Sequence, residues 1–369
     1  MTVDLLKKTT LKEVAAVAGV SVATVHRVIS NRARVSPHTR DRVLVAIREL
    51  NGTGATPASQ KPTTETRSLS YGFVMESGVP FLDSIEKAID SISDLYAPLH
   101  IRLSAESMPM FDLDDFLALL RRSAREHDGL ILLCRDDPAI STCVNQLIRE
   151  GAPVVCLTTD LCDTARLAYV GPNHVSAGQT AGHLMGRYIG KRDGDVILVV
   201  SASYRSQYER ELGFRRIIRE QFPYLRIHES LNNRDLDEES YGSLMTLFDS
   251  GIKPLGIYNV TGGTRGVAKA IKEKGWTDDI VFIGHELNDS SYSLLAQNEV
   301  DVIIDQDLRS EVMTAVNVLL HHHGLQKQAP AITPSAPIIT IRENMGMRLA
   351  PRDPVPTETA DHQMEASKL

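Results

Sequence analysis

Cysteine is scarce in this chain. Four occur in 369 residues, Cys134, Cys143, Cys156 and Cys162, with no Cys-x-x-Cys pair and no paired histidine spacing. That argues against a disulfide framework or a zinc site and predicts reduced thiols in a cytosolic protein. The opening MTVDLLKKTT lacks the apolar run of a secretory leader, and no later stretch is long enough to span a bilayer. A soluble, cytoplasmic protein with no membrane partner is expected. Catalytic signatures are missing as well: there is no nucleophile elbow with His and Asp partners, no dinucleotide fingerprint and no metal cluster. The chain is therefore expected to be no enzyme and to hold no cofactor or metal.

What is present begins at Thr10. Thr10-Leu11-Lys12-Glu13 is a capping box, and Leu11, Val14, Ala15 and Ala18 follow at helical spacing. Gly19 can take the left-handed conformation that ends a helix, and Ser21 is a good N-cap for a second one. Val25, Val28 and Ile29 then point inward, leaving Val22, Ala23, His26 and Arg27 outside. Ser36-Pro37 restarts a third helix, whose Val43, Ile47 and Leu50 complete a small core. Two short helices joined at a glycine and closed by a third describe a helix-turn-helix. Residues 1–50 carry nine Lys/Arg against four acids, a net of +5, so the rest of this −7 chain carries −12. A basic head on an acidic body implies that the head alone meets a polyanion. Arg27 suits a bidentate contact to guanine, and Val22 and Ala23 suit apolar contacts such as thymine methyls.

Residues 51–68, rich in Gly, Pro, Thr and Ser, read as a linker. Strand-like runs at 69–75, 99–103, 129–133 and 153–157 then alternate with helical segments at 81–95, 113–125 and 140–150. A second series runs from 167–170 to a strand at 300–305. A final helix at 307–322 and strand at 337–342 cross back between lobes. The fold class is α/β: a helix-turn-helix head (1–50) and a core of two doubly wound parallel-sheet lobes (69–349). The tail, 350–369, has no core-forming pattern.

The head, in Val20-Ser21-Val22-Ala23-Thr24-Val25-His26-Arg27-Val28, resembles that of the lactose-repressor/galactose-repressor family of bacterial regulators. In that family the two positions held here by Val22 and Ala23 touch base edges, and the arginine reads a base. The resemblance implies a DNA-binding set of Ser21, Val22, Ala23, Thr24, His26, Arg27, Asn31 and Arg42. His26 replaces a common serine and is expected to reach phosphate, as is Arg42. It also implies a body like the sugar-binding periplasmic proteins, with a small-molecule effector (sugar, polyol or sugar acid) between its lobes. Arg210, three residues before Gly213-Phe214, stands where the family places a ligand-binding arginine. Asn259, Glu286 and Gln306 fall at successive strand ends, and Phe81 and Asp160 are weaker candidates on the first lobe. Operator DNA and a homodimer or tetramer are the implied partners, because one recognition helix reads few bases.

Thr261-Gly262-Gly263-Thr264-Arg265-Gly266 follows a strand, yet it lacks the Walker lysine pattern and reads as a plain helix N-terminus. His321-His322-His323 closes a helix, where histidine suits the dipole better than a metal. The linker departs from the family's hinge helix: Gly52, Gly54, Pro57 and Pro62 replace its Ala/Leu run, so a flexible tether is expected. Two alternative functions compete with this one, a soluble ligand-binding protein without regulation and an enzyme on a doubly wound fold. The helix-turn-helix counts against the first and the missing catalytic motifs against the second.

Overall fold

A computed structural model describes residues 10–29, 39, 42, 43, 46, 68–109, 112–201, 204–231 and 234–346. The chain divides into two compact units, Met1–Glu65 and Thr66–Leu369. In the first, α1 (Leu11–Ala18) starts at a reciprocal capping box: the Thr10 amide donates to Glu13 at 2.7 Å and the Glu13 amide donates to Thr10 Oγ1 at 3.4 Å. Gly19 ends it at φ 60°, in the left-handed region where a side chain costs energy. Arg42 adds a second reason for glycine. Its guanidinium donates to the Ala18 carbonyl at 2.6 Å and the Gly19 carbonyl at 3.3 Å, and fills the space a Cβ would need. Ser21 Oγ accepts from the Thr24 amide at 3.2 Å and so caps α2 (Val22–Ile29). Val14, Ala15, Ala18, Val25, Val28, Val43 and Ala46 form the core. Ile47, Leu50, Asn31, residues 51–67 of the linker and the tail lie outside the described residues.

The second unit is two sheets flanked by helices. The first lobe contains β1 (Leu69–Ser77), α3 (Val79–Tyr96), β2 (Ile101–Pro109), α4 (Leu113–Glu126), β3 (Gly129–Leu133), α5 (Pro138–Arg149), β4 (Val154–Leu157) and β5 (Ala168–Val170). Its strands run parallel in the order β2-β1-β3-β4-β5. The period of two sorts their side chains. Tyr71, Phe73, Met75, Ile131 and Leu133 enter one apolar cluster, while Val74, Leu130 and Leu132 enter the other. Both faces are covered, which is why these strands read as unbroken apolar runs.

The second lobe continues with α6 (His174–Ile189), β6 (Gly194–Val200), α7 (Arg205–Gln221), β7 (Leu225–Leu231), α8 (Asp237–Asp249) and β8 (Gly256–Asn259). Then come α9 (Thr264–Glu273), β9 (Val281–His285), α10 (Asp289–Ala296) and β10 (Val302–Asp305). After β10, α11 (Leu308–His322) returns to the first lobe, burying Val312, Ala315, Val316 and Leu319 in its core, and β11 (Ile338–Thr340) ends the second sheet. That sheet has the order β11-β10-β9-β8-β6-β7. The crossing segments are tied together, Ser335 donating its amide to Gly171 at 3.1 Å and accepting the Asn173 amide at 3.3 Å.

Two expectations need correction. The strand foreseen at 99–103 begins only at Ile101, after a short 3-10 turn at Ala97–Leu99 and a left-handed His100, and it runs on to Pro109. As an edge strand it carries Ser104 and Glu106, which break the apolar signal. The second sheet is not wholly parallel either, because β11 pairs antiparallel with β10. No described helix is long and apolar enough to cross a membrane.

Candidate effector cleft and helix-turn-helix surface

The carboxyl ends of both sheets open onto a cleft of about 360 Å³ between the lobes. Its centre is Arg210, delivered by two helices in unusually close contact. A Cβ on Gly213 would lie 2.1 Å from the Val175 carbonyl oxygen, and one on Gly178 1.9 Å from that of Arg210. Only glycine at both places lets α6 and α7 meet, and that contact sets Arg210 beside His174. Arg210 is 4% exposed and engaged at all three nitrogens: Nε donates to His174 Nδ1 at 3.2 Å, Nη1 to the Val260 carbonyl and Glu286 Oε1 at 3.3 Å each, and Nη2 to Glu286 Oε1 at 3.4 Å. Because arginine has no acceptor, His174 Nδ1 must accept, and the proton sits on Nε2, which donates to the Thr158 carbonyl at 2.6 Å. Burial, aided by the neighbouring Arg210 charge, pushes the His174 pKa down to about 3, so the ring is neutral. Burial and the same arginine push His285 down too. Glu286 moves the other way: burial raises its carboxyl above the ordinary range against the pull of Arg210.

Backbone strain marks the site independently. Five non-glycine residues among those described have positive φ, and Thr158 (61°), Asp235 (55°) and Glu286 (68°) all line this cleft, one each after β4, β7 and β9. Such strain persists where function requires a side chain to be aimed. Asp235 accepts Gln207 Nε2 at 3.2 Å on both oxygens and the Gly262 amide at 3.0 Å. Burial pushes its carboxyl up to about 6. Gln207 Oε1 and Thr158 Oγ1, both buried on the cleft wall, have no hydrogen-bond partner among the described residues. No sequence motif flagged Asp235, Gln207 or Thr158.

Of the six residues expected to hold an effector, Arg210, Glu286 and Phe81 line the cleft. Gln306 lines a connected side space with Phe81 and Glu286, its amide atoms without partners among the described residues. Asp160 and Asn259 do not line the cleft. Arg166 takes the Asp160 carboxylate, with Nε and Nη2 each 2.5 Å from one oxygen. Asn259 is fully buried and braces the Thr261-Gly262-Gly263 turn, accepting from the Thr261 amide and donating to the Gly262 carbonyl. That turn walls the cleft, and Gly263 (φ 74°) caps α9. The histidine run lies elsewhere: His323 stacks on Tyr71, and its Nδ1 contacts the Leu319 carbonyl at 3.0 Å.

On the head, Ser21, Val22, Ala23 and His26 are exposed and Thr24 is half-buried. Arg27 lies within α2, and its side chain is outside the described residues. Arg42 was expected to reach phosphate. The structure instead spends its guanidinium on the two carbonyls that end α1, a tie that fixes the turn between the two helices.

Residues 10–52 match the family described as bacterial regulatory proteins, lacI family, and residues 123–327, more than half the chain, match the periplasmic binding protein domain family. The chain is similar to the HTH-type transcriptional regulator GalS of Salmonella typhimurium, 39% identical over 84 residues (23% of this chain, 24% of that protein). It is similar to the HTH-type transcriptional regulator DegA of Bacillus subtilis, 26% identical over 184 residues (47% of this chain, 53% of that one). The chain thus spans about half the length, or less, of these curated relatives. Among solved structures, GanP, a glucose-galactose binding protein from Geobacillus stearothermophilus, shares the fold at a TM-score of 0.69 and 18% identity, over 76% of this chain and 100% of that one.

Proposed function

Given that the chain belongs to the periplasmic binding protein domain family and carries a lacI-family head, we propose that it is a DNA-binding transcriptional regulator. A small hydroxyl-rich effector in the cleft controls it. The observation that carries the reading is the lacI match over residues 10–52, lying on a helix-turn-helix whose second helix exposes Val22, Ala23 and His26. It works as a homodimer on a near-palindromic operator, because one recognition helix reads only a few bases. It is a cytoplasmic protein and not an enzyme, as befits a relative of GalS and DegA. Ser21, Val22, Ala23, Thr24, His26, Arg27 and Asn31 form the DNA-contacting set. Arg210, Glu286, Phe81 and Gln306, joined by Asp235, Gln207 and Thr158, form the effector set.

The test is binding-site selection with the full chain and with Arg27→Ala. Wild-type protein should select a two-fold symmetric site. The variant should lose about 1–3 kcal/mol and relax its preference at one symmetric pair of positions. Retained base preference in Arg27→Ala would remove that residue from the reading set. Failure to select any site would overturn the regulator reading itself.

A further inference from the structure

The effector cleft is rich in acceptors and, among the described residues, has no uncommitted cation. Its lining holds two arginines, Arg210 and Arg265, against four acids, Asp235, Asp237, Glu238 and Glu286. Each arginine is engaged by an acid of the cleft, Arg210 by Glu286 at 3.3 Å and Arg265 by Asp237 at 2.9 Å. Asp235 is different. Among the described residues its hydrogen-bond donors are neutral, the Gln207 amide and the Gly262 amide, although the carboxylate is drawn into the cleft floor at a strained φ of 55°. The Arg210 charge reaches it without a hydrogen bond, and Arg234, its chain neighbour, pairs with Glu239. Beside Asp235, Gln207 is 7% exposed and its Oε1 is a buried acceptor without a partner among the described residues.

A half-buried carboxylate whose hydrogen-bond donors are all neutral and a buried acceptor without a donor are both costly, and one ligand group relieves both. That group must donate more than once and bring positive charge. An ammonium has three donors and no acceptor; a hydroxyl has one donor and brings lone pairs of its own that need donors. We propose that the effector is an amino sugar, whose protonated amine sits between Asp235 and Gln207 Oε1 while its hydroxyls meet Arg210, Glu286 and Thr158. The assignment rests on the cleft being the effector site. It narrows the expected classes, because a sugar acid would meet four acids and two committed arginines. Burial that lifts the Asp235 carboxyl to about 6 is the cost that the ligand's charge removes.

The experiment is titration calorimetry on the full chain at pH 7.5, with glucosamine, galactosamine and mannosamine as probes. Each is compared with its parent hexose, its N-acetyl derivative and, for glucose and galactose, the corresponding uronate. At least one hexosamine should bind about tenfold or more tighter than its parent and its N-acetyl form, and the uronates should not bind. Asp235→Asn, which keeps the shape and tolerates the left-handed backbone, should erase that preference. A parent hexose binding as tightly as its amine, a preference that survives Asp235→Asn, or a bound uronate would each overturn the proposal. If a neutral hexose binds and Arg210→Ala abolishes it, the amine site falls and the effector cleft stands. If none of the sugars binds, the amino-sugar proposal falls, while site selection on DNA judges the regulator reading separately.

Discussion

The two walls of the cleft are built from different chemistry. The first lobe lines it with Ser77, Gly78, Pro80, Phe81, Thr158 and Thr159, hydroxyls and one ring, with no charged side chain among the described residues. The second lobe supplies every charged lining residue, Arg210, Asp235, Asp237, Glu238, Arg265 and Glu286. Charges near the first wall exist but are used internally: Arg135 pairs with Glu76 at 3.3 Å and Arg166 with Asp160. A ligand held there would take its charged contacts from the second lobe and its ring and hydroxyl contacts from the first. Substitutions on the two walls should therefore fail differently.

The largest effect is expected at Arg210, the hub of the charged wall. Arg210→Ala leaves Glu286 in the cleft without its cation and His174 Nδ1 without its donor. Removing one partner of a buried pair costs about 3–5 kcal/mol, and the raised Glu286 carboxyl can soften this by taking a proton, so about 3 kcal/mol is expected. Urea unfolding should report that loss together with complete loss of effector binding. A fully stable Arg210→Ala protein would mean that the network is less interdependent than its hydrogen bonds imply.

A test of what joins the walls comes next. Glu311 on α11 is 3% exposed and accepts Ser335 Oγ at 2.6 Å, linking a helix of the first lobe to a crossing segment. Burial, reinforced by Asp307 and Asp305 and opposed by Ser335 and Arg210, raises its carboxyl to about 7. A carboxyl whose folded pKa lies above its unfolded value favours folding when protonated. Its contribution is full below about pH 4.5 and is lost as pH rises through about 7. At 1.36 kcal/mol per unit the swing is at most about 3.5 kcal/mol. Glu311→Gln should therefore flatten the fall in stability between pH 5 and 8, with melting curves at both pH values as the measurement. An equal fall in variant and wild type would assign the dependence to another group.

On the apolar wall, Phe81→Ala should weaken effector binding by about tenfold, the scale of about 1–1.5 kcal/mol for an aromatic contact, and should shift stability less, since the ring is only half-buried. Calorimetry beside melting curves separates the two. A large stability loss without an affinity change would make Phe81 a core residue instead.

The charged wall was also the more legible one in the sequence, for a physical reason. Arg210 announced itself through the Gly213-Phe214 spacing, and the spacing exists because Gly213 must admit the Val175 carbonyl. The succession of strands and helices could be read because period two and period 3.6 are set by burial, whereas the order of strands within each sheet could not. Asp235, Gln207 and Thr158 carried no such mark. What brings them into the cleft is left-handed backbone at Asp235 and Thr158, and an amide left without a partner at Gln207, and neither has a linear signature. Asp160 and Asn259 misled in the opposite way. They stand at the right strand ends, but Arg166 in one case and the Thr261 turn in the other claims the side chain, and such local competition cannot be seen from position alone.

Thr158 offers the smallest and most discriminating test. A β-branched residue in the left-handed region costs about 1–2 kcal/mol, and here φ is 61°. Its Oγ1 is buried with no partner among the described residues, which adds a desolvation cost. What anchors the local structure is backbone: the Thr158 amide donates to Val170 at 2.8 Å, and its carbonyl accepts from Tyr169 and His174. Thr158→Gly keeps all three bonds, removes the strain and the stranded hydroxyl, and costs about 0.5–1 kcal/mol in unfolded-chain entropy. The balance is a ligand-free protein more stable by about 0.5–1 kcal/mol, paired with weaker effector binding. Gain of stability with loss of affinity is the signature of a residue kept for its ligand. Were the variant less stable, threonine would be there for packing, and the first wall would contribute little beyond Phe81.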